Sequence, residues 1–229
     1  MFQSDSKFDG KFNLASFLIT VYLRRMVSHS IAFPVLPSCL RHPPFSSTKP
    51  ENTNNFENHL ISQTNGGSRM AKVLIVYDSK TGNTETMALA VAKGAERVSG
   101  TEVTVKKAEQ TKLDDMLAAD GIIMGSPTYF GQMSAKLKAL IDESVRVHKE
   151  LAGKVGAAFT SSGGTASGAE TTLLSIVQAM LIHGMIVQGR ADDKHYGVAV
   201  MGSPKKRDLV YCEELGRNVA TLVKKLNPC

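Results

Sequence analysis

An unbroken apolar run, Val73 to Tyr77, leads within two residues into Ser79-Lys80-Thr81-Gly82-Asn83-Thr84, and then into Glu85-Thr86-Met87-Ala88-Leu89-Ala90-Val91-Ala92. A run with no polar alternation reads as a parallel strand buried on both faces. The segment after the loop reads as a helix over about Thr84–Val98, with Met87, Val91, Gly94/Ala95 and Val98 on one face. Between them, hydroxyls and a glycine lie just ahead of a helix N-terminus, where free N–H groups and the helix dipole attract an anion. Neither Thr81 nor Thr84 has Glu or Gln three residues later, so no capping box closes the helix. The expected cap is the bound anion itself.

Five such units follow one another from Met70 onward. The expected strands are Lys72–Tyr77, Glu102–Lys107, Gly121–Gly125, Lys154–Phe159 and Met185–Val187, the last continued by Val198–Met201 beyond the polar excursion Gln188–Tyr196. The expected helices after the first span about Lys112–Ala119, Ser134–Val147, Gly168–Ile182 and Pro204–Leu226. Their inward faces carry Leu137, Leu140, Ile141 and Ser144, then Leu173/Leu174, Val177 and Met180/Leu181, then Leu209, Cys212, Leu215, Val219, Leu222 and Leu226. Alternating elements of this kind make one α/β domain, a doubly wound five-stranded parallel sheet in the order 2-1-3-4-5. Its ligand belongs at the carboxyl ends of the strands, around the switch point between strands one and three. The loops after strands one, three and four are therefore the ones to inspect.

The first loop is neither a Walker A loop nor a dinucleotide G-x-G-x-x-G. Ser79 to Thr84 resembles the phosphate loop of flavodoxins, which holds the terminal phosphate of FMN. After strand three, Pro127 and Gly131 bracket Thr128, Tyr129 and Phe130, and adjacent aromatics in a loop suit stacking on a flat ring. After strand four come nine small residues, Thr160 to Gly168, which let backbone approach a ligand and offer N–H and hydroxyl donors.

With these loops the resemblance becomes specific. Residues 70–226 resemble the flavodoxin-like NAD(P)H:quinone oxidoreductases of the WrbA family. The matching segments are Met70 to Leu74, Glu85 to Ala88, Gly125 to Ser134, Phe159 to Gly163, Glu170 to Thr172 and His183-Gly184-Met185. The resemblance implies FMN as cofactor, NADH or NADPH as co-substrate and a quinone as acceptor. It implies that Ser79, Lys80, Thr81, Gly82, Asn83 and Thr84 hold the phosphate and that Thr128, Tyr129 and Phe130 line the ring. Ser161, Ser162, Gly163, Gly164 and Thr165 would meet the pyrimidine end, and His183 would touch the flavin. It also implies a homo-oligomer, dimer or tetramer. The first loop is closer to that of a flavodoxin than to that of the WrbA family, and the chain has no Trp. The alternative is therefore a flavodoxin-type one-electron carrier between redox proteins. Such carriers are strongly acidic, for docking to basic partners. Residues 70–229 here carry twenty Lys/Arg against seventeen Asp/Glu.

Residues 1–69 have a different character. They hold five of the eight prolines and a Ser/Asn/Thr-rich stretch from Ser46 to Asn65, and they are expected to be a disordered extension. Met70 is expected to be the natural start of the flavodoxin-like domain 70–229, with a leader as the alternative. The apolar stretch Leu14–Leu23 falls short of the roughly 20 residues of a membrane span. Three cysteines without a C-x-x-C suggest neither a disulfide framework nor a metal site and suit a reducing, cytoplasmic setting. No basic run or helix-turn-helix points to nucleic acid.

Overall fold

The computed structural model describes residues 69–191 and 193–228. The extension expected over 1–69 lies outside them except for Arg69, as do Cys39 and Cys229.

The strands are β1 (Ala71–Tyr77), β2 (Thr101–Lys107), β3 (Gly121–Pro127), β4 (Val155–Ser162), β5 (Ile186–Val187) and β6 (Val198–Met201). The α-helices are α1 (Asn83–Glu96), α2 (Leu113–Ala118), α3 (Ala135–Glu143), α4 (Ala169–Ile182) and α5 (Lys206–Leu226). The sheet order is β2-β1-β3-β4-β5, all parallel, with β6 also on β4. This is the expected order, and the fifth position is filled by two fragments, as the expected continuation by Val198–Met201 has it. β5 pairs Val155 and Gly156, and β6 resumes opposite Phe159 to Ser162.

Every residue of β3 and β4 is buried, as an apolar run in a covered sheet requires, whereas β2 alternates at the edge. Odd-numbered β1 residues Val73, Ile75 and Tyr77 join Phe159 beneath α1 and α5. Even-numbered Leu74 and Val76 join Met116, Leu137, Ile176 and Met180 on the opposite face. The period-two pleat thus divides one strand between two cores.

Several boundaries differ from expectation. β3 extends through Pro127 and β4 through Ser162, because Ser126 pairs Thr160 and Pro127 pairs Ser161. Small and polar residues here continue a ladder that apolar patterning alone ends too early. The expected helix Ser134–Val147 breaks at Ser144, whose hydroxyl donates back to Ile141 O at 2.6 Å, and a 3₁₀ turn completes it. Leu181 and Leu226 point to solvent, because α4 buries Leu173, Ile176 and Met180 and α5 ends beyond the core after Val223.

α1 and α5 cross at glycines. A Cβ on Gly94 would sit 1.8 Å from Glu213 O, and one on Gly216 would sit 1.9 Å from Val91 O. The backbones therefore touch directly. Lys93 and Arg97 flank the crossing with ion pairs to Glu213 at 2.9 and 2.7 Å.

Cys212 is fully buried on α5, and burial, with Asp208 and Glu213 adding to it, pushes its thiol up to about 12. It packs rather than reacts. At about pH 8, where an ordinary thiol is partly ionised, a thiol reagent should leave Cys212 unlabelled in the native protein and label it in denaturant. Peptide mapping reads this directly, and native labelling of Cys212 would contradict its buried setting.

Candidate functional site

Adjacent strands β1, β3 and β4 bring their carboxyl-end loops side by side. The first loop approaches α1 with Gly82 at φ 87°, a left-handed turn that suits glycine. The Ser79 hydroxyl accepts the Gly82 N–H at 3.1 Å. No side chain caps α1, and Thr86 N–H is the first to bond back, to Gly82 O at 2.9 Å. The N–H groups of Asn83, Thr84 and Glu85 precede that bond at the positive end of the helix. Lys80 and Thr81 are exposed beside them. The uncapped terminus expected from the sequence is therefore present, and its donor set suits a phosphate.

Glu85 lies in the first turn, where a carboxylate would repel a bound anion. Its Oε1 accepts the Tyr77 hydroxyl at 2.8 Å, on the Tyr77 side of the helix. Burial, reinforced by the Glu85 carboxylate, pushes Tyr77 up to about 12, so the phenol keeps its proton and the bond persists across the physiological range.

Thr84 is 1% exposed, and its hydroxyl lies 2.9 Å from that of Ser161 on β4. Two hydroxyls joined by one hydrogen bond leave one proton for a third oxygen. Ser161 was expected beside the pyrimidine end. The structure puts its hydroxyl beside Thr84 at the start of α1, because odd-numbered β4 residues face α1. Ser162 likewise belongs to the strand and donates to Gly164 O at 3.1 Å. Gly163, Gly164 and Thr165 form the free loop above them.

The second loop is tied at its base. Ser126 Oγ accepts Ser134 N–H at 2.8 Å. Thr160 Oγ1 donates to Ser126 O at 2.7 Å, so the Thr128 hydroxyl donates to Thr160 Oγ1 at 2.9 Å. Tyr129 and Gln132 exchange both backbone hydrogen bonds, at 2.9 and 3.0 Å, around a tight turn. Its central residues, Phe130 and Gly131, have φ of 51° and 76°. A bulky residue rarely takes that conformation. Phe130 pays this cost at the loop tip with its ring fully in solvent, and Tyr129 is exposed beside it. The two aromatics do not pack under their own loop; they present an open apolar surface next to the uncapped helix.

Gly131 is clamped against α4. Thr171 Oγ1 donates to Gly131 O at 2.7 Å, and a Cβ on Gly168 would lie 2.4 Å from Gly131 Cα. Gly168 also has φ 90°. Gly168→Ala should therefore displace the turn that carries Phe130. We expect flavin affinity to fall roughly tenfold with little loss of helix content; unchanged affinity in a flavin titration would show that the clamp does not matter to the site. Sequence reasoning missed this contact, since neither glycine announces a partner so far along the chain.

His183 does not join these loops. It caps the C-terminus of α4, which runs antiparallel to the strands and so ends at their amino edge. Its Nε2 lies 2.8 Å from Ser144 Oγ, and its Nδ1 lies 3.1 Å from His148 O. The neighbouring Gly184 O accepts Gly153 N–H, two residues before β4 begins. About 20 Å of strand separates that edge from Ser161 at 3.3 Å per residue. His183 therefore lies at the opposite edge of the sheet from the three loops of its own chain. Among the described residues no group of His, Cys, Asp and Glu could hold a metal, and no helix is long and apolar enough to cross a membrane.

Fold and site together define a flavodoxin-like protein with an uncapped helix N-terminus at the switch point and an aromatic turn beside it. Residues 71–192 match the model of the NADPH-dependent FMN reductase family, and the chain belongs to that family. It is 40% identical over 162 residues to a flavodoxin of Aquifex aeolicus, covering 67% of this chain and 88% of the other. It is 38% identical over 191 residues to an NAD(P)H dehydrogenase (quinone) of Archaeoglobus fulgidus, covering 69% of this chain and all of that one. Among solved structures, a WrbA-like flavodoxin protein from Agrobacterium tumefaciens superposes with a TM-score of 0.60 at 26% identity, covering 68% of this chain and 98% of that one.

Proposed function

We propose that the chain is an FMN-dependent NAD(P)H dehydrogenase acting on quinones. The observation that carries the reading is the exposed Tyr129-Phe130 turn, held in a costly backbone conformation beside an uncapped α1. The family match and the quinone dehydrogenase relative support it. Ser79, Lys80, Thr81, Asn83 and Thr84 hold the phosphate through hydroxyl, ammonium and backbone N–H groups, with Gly82 setting the turn. Thr128, Tyr129 and Phe130 line the ring, with Pro127 and Gly131 fixing the ends of their turn. Gly163, Gly164 and Thr165 offer backbone and hydroxyl donors to the pyrimidine edge.

The chemistry FMN supplies when bound is two-electron transfer, from the hydride of NAD(P)H to a quinone. The protein's part is to hold the ring and keep one apolar face open. Nicotinamide and quinone then use the same slot in turn, so the kinetics are ping-pong. A homo-oligomer and a cytoplasmic site of action belong to the same reading. The exposed Val145, Leu181 and Ile182 are apolar surface that a second copy could cover, and NAD(P)H is a cytoplasmic reductant.

A second reading, a flavodoxin-type carrier, is favoured by the Aquifex relative. Rapid mixing of the flavin-loaded protein with NADH and NADPH separates the two. Bleaching of the flavin by either nucleotide, followed by reoxidation with benzoquinone, is the expected result. No bleaching by either nucleotide, with ready reduction by a separate reductase protein, would replace the enzyme with the carrier.

A further inference from the structure

Among the described residues, three α-helices carry an acidic residue at the third helical position: Glu85 in α1, Asp115 in α2 and Asp208 in α5. A carboxylate at that position can reach back and accept the backbone N–H that opens its own helix. Asp115 does so, accepting Lys112 N–H at 2.8 Å, and Asp208 does so, accepting Lys205 N–H at 2.9 Å. Glu85 does not. No side chain caps α1, and the corresponding Gly82 N–H goes to Ser79 Oγ at 3.1 Å. The Glu85 carboxylate is taken by Tyr77, whose hydroxyl donates to its Oε1 at 2.8 Å.

Tyr77 is the last residue of β1, so this bond spans the loop 78–84 from the strand end to the first turn of the helix. Odd-numbered β1 residues face α1, which brings the buried phenol beneath that turn. Burial, reinforced by the Glu85 carboxylate, keeps the proton on the phenol, so it stays a donor. Among the described residues Glu85 makes no ion pair, and the phenol is what restrains its carboxylate. Without that restraint, Glu85 stands in the first turn of a helix that no side chain caps. Asp115 and Asp208 show where an acid in this position goes. A carboxylate tethered there competes with an external anion for the same N–H groups, at the high effective concentration of an intramolecular ligand.

We propose that Tyr77 is a positioning residue: its hydroxyl keeps Glu85 from capping α1 and so keeps that N-terminus open for the phosphate of a flavin mononucleotide. The inference rests on the reading that the FMN phosphate is held at α1. Tyr77 acts through Glu85 alone, and its effect is on selectivity: it favours the phosphorylated flavin over the same ring without a phosphate.

The test uses the full chain freed of flavin and titrated with FMN and with riboflavin, read by flavin fluorescence. Tyr77→Phe keeps the ring in the core and removes only the hydroxyl. It should weaken FMN binding roughly five- to tenfold, while riboflavin stays within about twofold of the parent. Glu85→Ala removes the competing carboxylate. In that background Tyr77→Phe should change FMN affinity by no more than about twofold, closing a double-mutant cycle with a clear coupling between the two residues. A packing defect from the lost hydroxyl would instead weaken both flavins and would persist in the double variant. FMN affinity unchanged in Tyr77→Phe, equal losses for the two flavins, or a loss that persists without Glu85 would each overturn the proposal. A parent protein that binds FMN no more tightly than riboflavin would overturn the phosphate assignment at α1 and the proposal with it, an outcome read from the parent alone.

Discussion

Gly216→Ala should destabilise the protein by roughly 3 kcal/mol, at the upper end of what overpacking a core usually costs. For a domain of this size that lowers Tm by about 10 °C. Two effects oppose each other at this position. Alanine in a helix interior is favoured over glycine by about 1 kcal/mol. Against that, the new Cβ would stand 1.9 Å from Val91 O, a backbone atom that cannot rotate aside. α1 and α5 must separate by more than 1 Å to restore ordinary contact, loosening Val91, Cys212, Leu215 and Val219 together. The clash should therefore win. Gly94→Ala, whose Cβ would meet Glu213 O, forces the same separation, so the double substitution should cost less than the sum of the two. Gly164→Ala is the control: nothing lies within 4 Å of its Cβ, and its effect should stay within about 0.5 kcal/mol. Thermal unfolding of the flavin-free proteins checks all four. A Gly216→Ala protein as stable as its parent would mean that the two helices do not approach this closely.

Thr84→Ala should weaken FMN binding by roughly 10- to 150-fold, the equivalent of about 1.5–3 kcal/mol for a hydrogen bond to a charged group. Riboflavin, which lacks the phosphate, should bind nearly as before. The hydroxyl of Thr84 is buried at the start of α1 and shares one hydrogen bond with Ser161. If Ser161 donates to Thr84, the Thr84 proton is directed at the phosphate, and the pair acts as a short relay. Thr84→Ser keeps the hydroxyl and should recover most of the affinity. Ser161→Ala keeps Thr84 but releases its orientation, and should cost only a few-fold. Fluorescence titration of the parent and the three variants with both flavins gives the affinities. Equal losses for FMN and riboflavin in Thr84→Ala would move the phosphate away from this loop. A larger loss in Ser161→Ala than in Thr84→Ala would make Ser161 the direct ligand.

The two predictions draw on different levels of information. Apolar runs and helical periodicity were enough to read the sheet order from the chain, because a strand covered on both faces has no polar positions to obscure it. The loop Ser79 to Thr84 and the uncapped helix behind it were legible for the same kind of reason: both are made by consecutive residues, and the missing capping box is a local property. The aromatic turn was legible in composition, although its left-handed Phe130 was not, since a strained φ is imposed by the hydrogen bonds that Tyr129 and Gln132 exchange.

What the chain determined by itself is thus the order of its elements and the position of its unusual loops, both set by neighbours within a few residues. Tertiary structure decided the rest. Ser161 went to the Thr84 side because strand parity, counted from a ladder longer than its apolar core, turns its side chain toward α1. His183 went to the far edge because a helix returning antiparallel to its strand carries its last residue away from the strand's carboxyl end. Gly131 and Gly168, and Gly94 and Gly216, became contacts because only backbone without a Cβ can come that close, and each partner lies tens of residues away in the chain. The register of the split fifth strand, with Val187 opposite Gly156 and Val198 opposite Phe159, was likewise set by where the chain finds hydrogen-bond partners on β4.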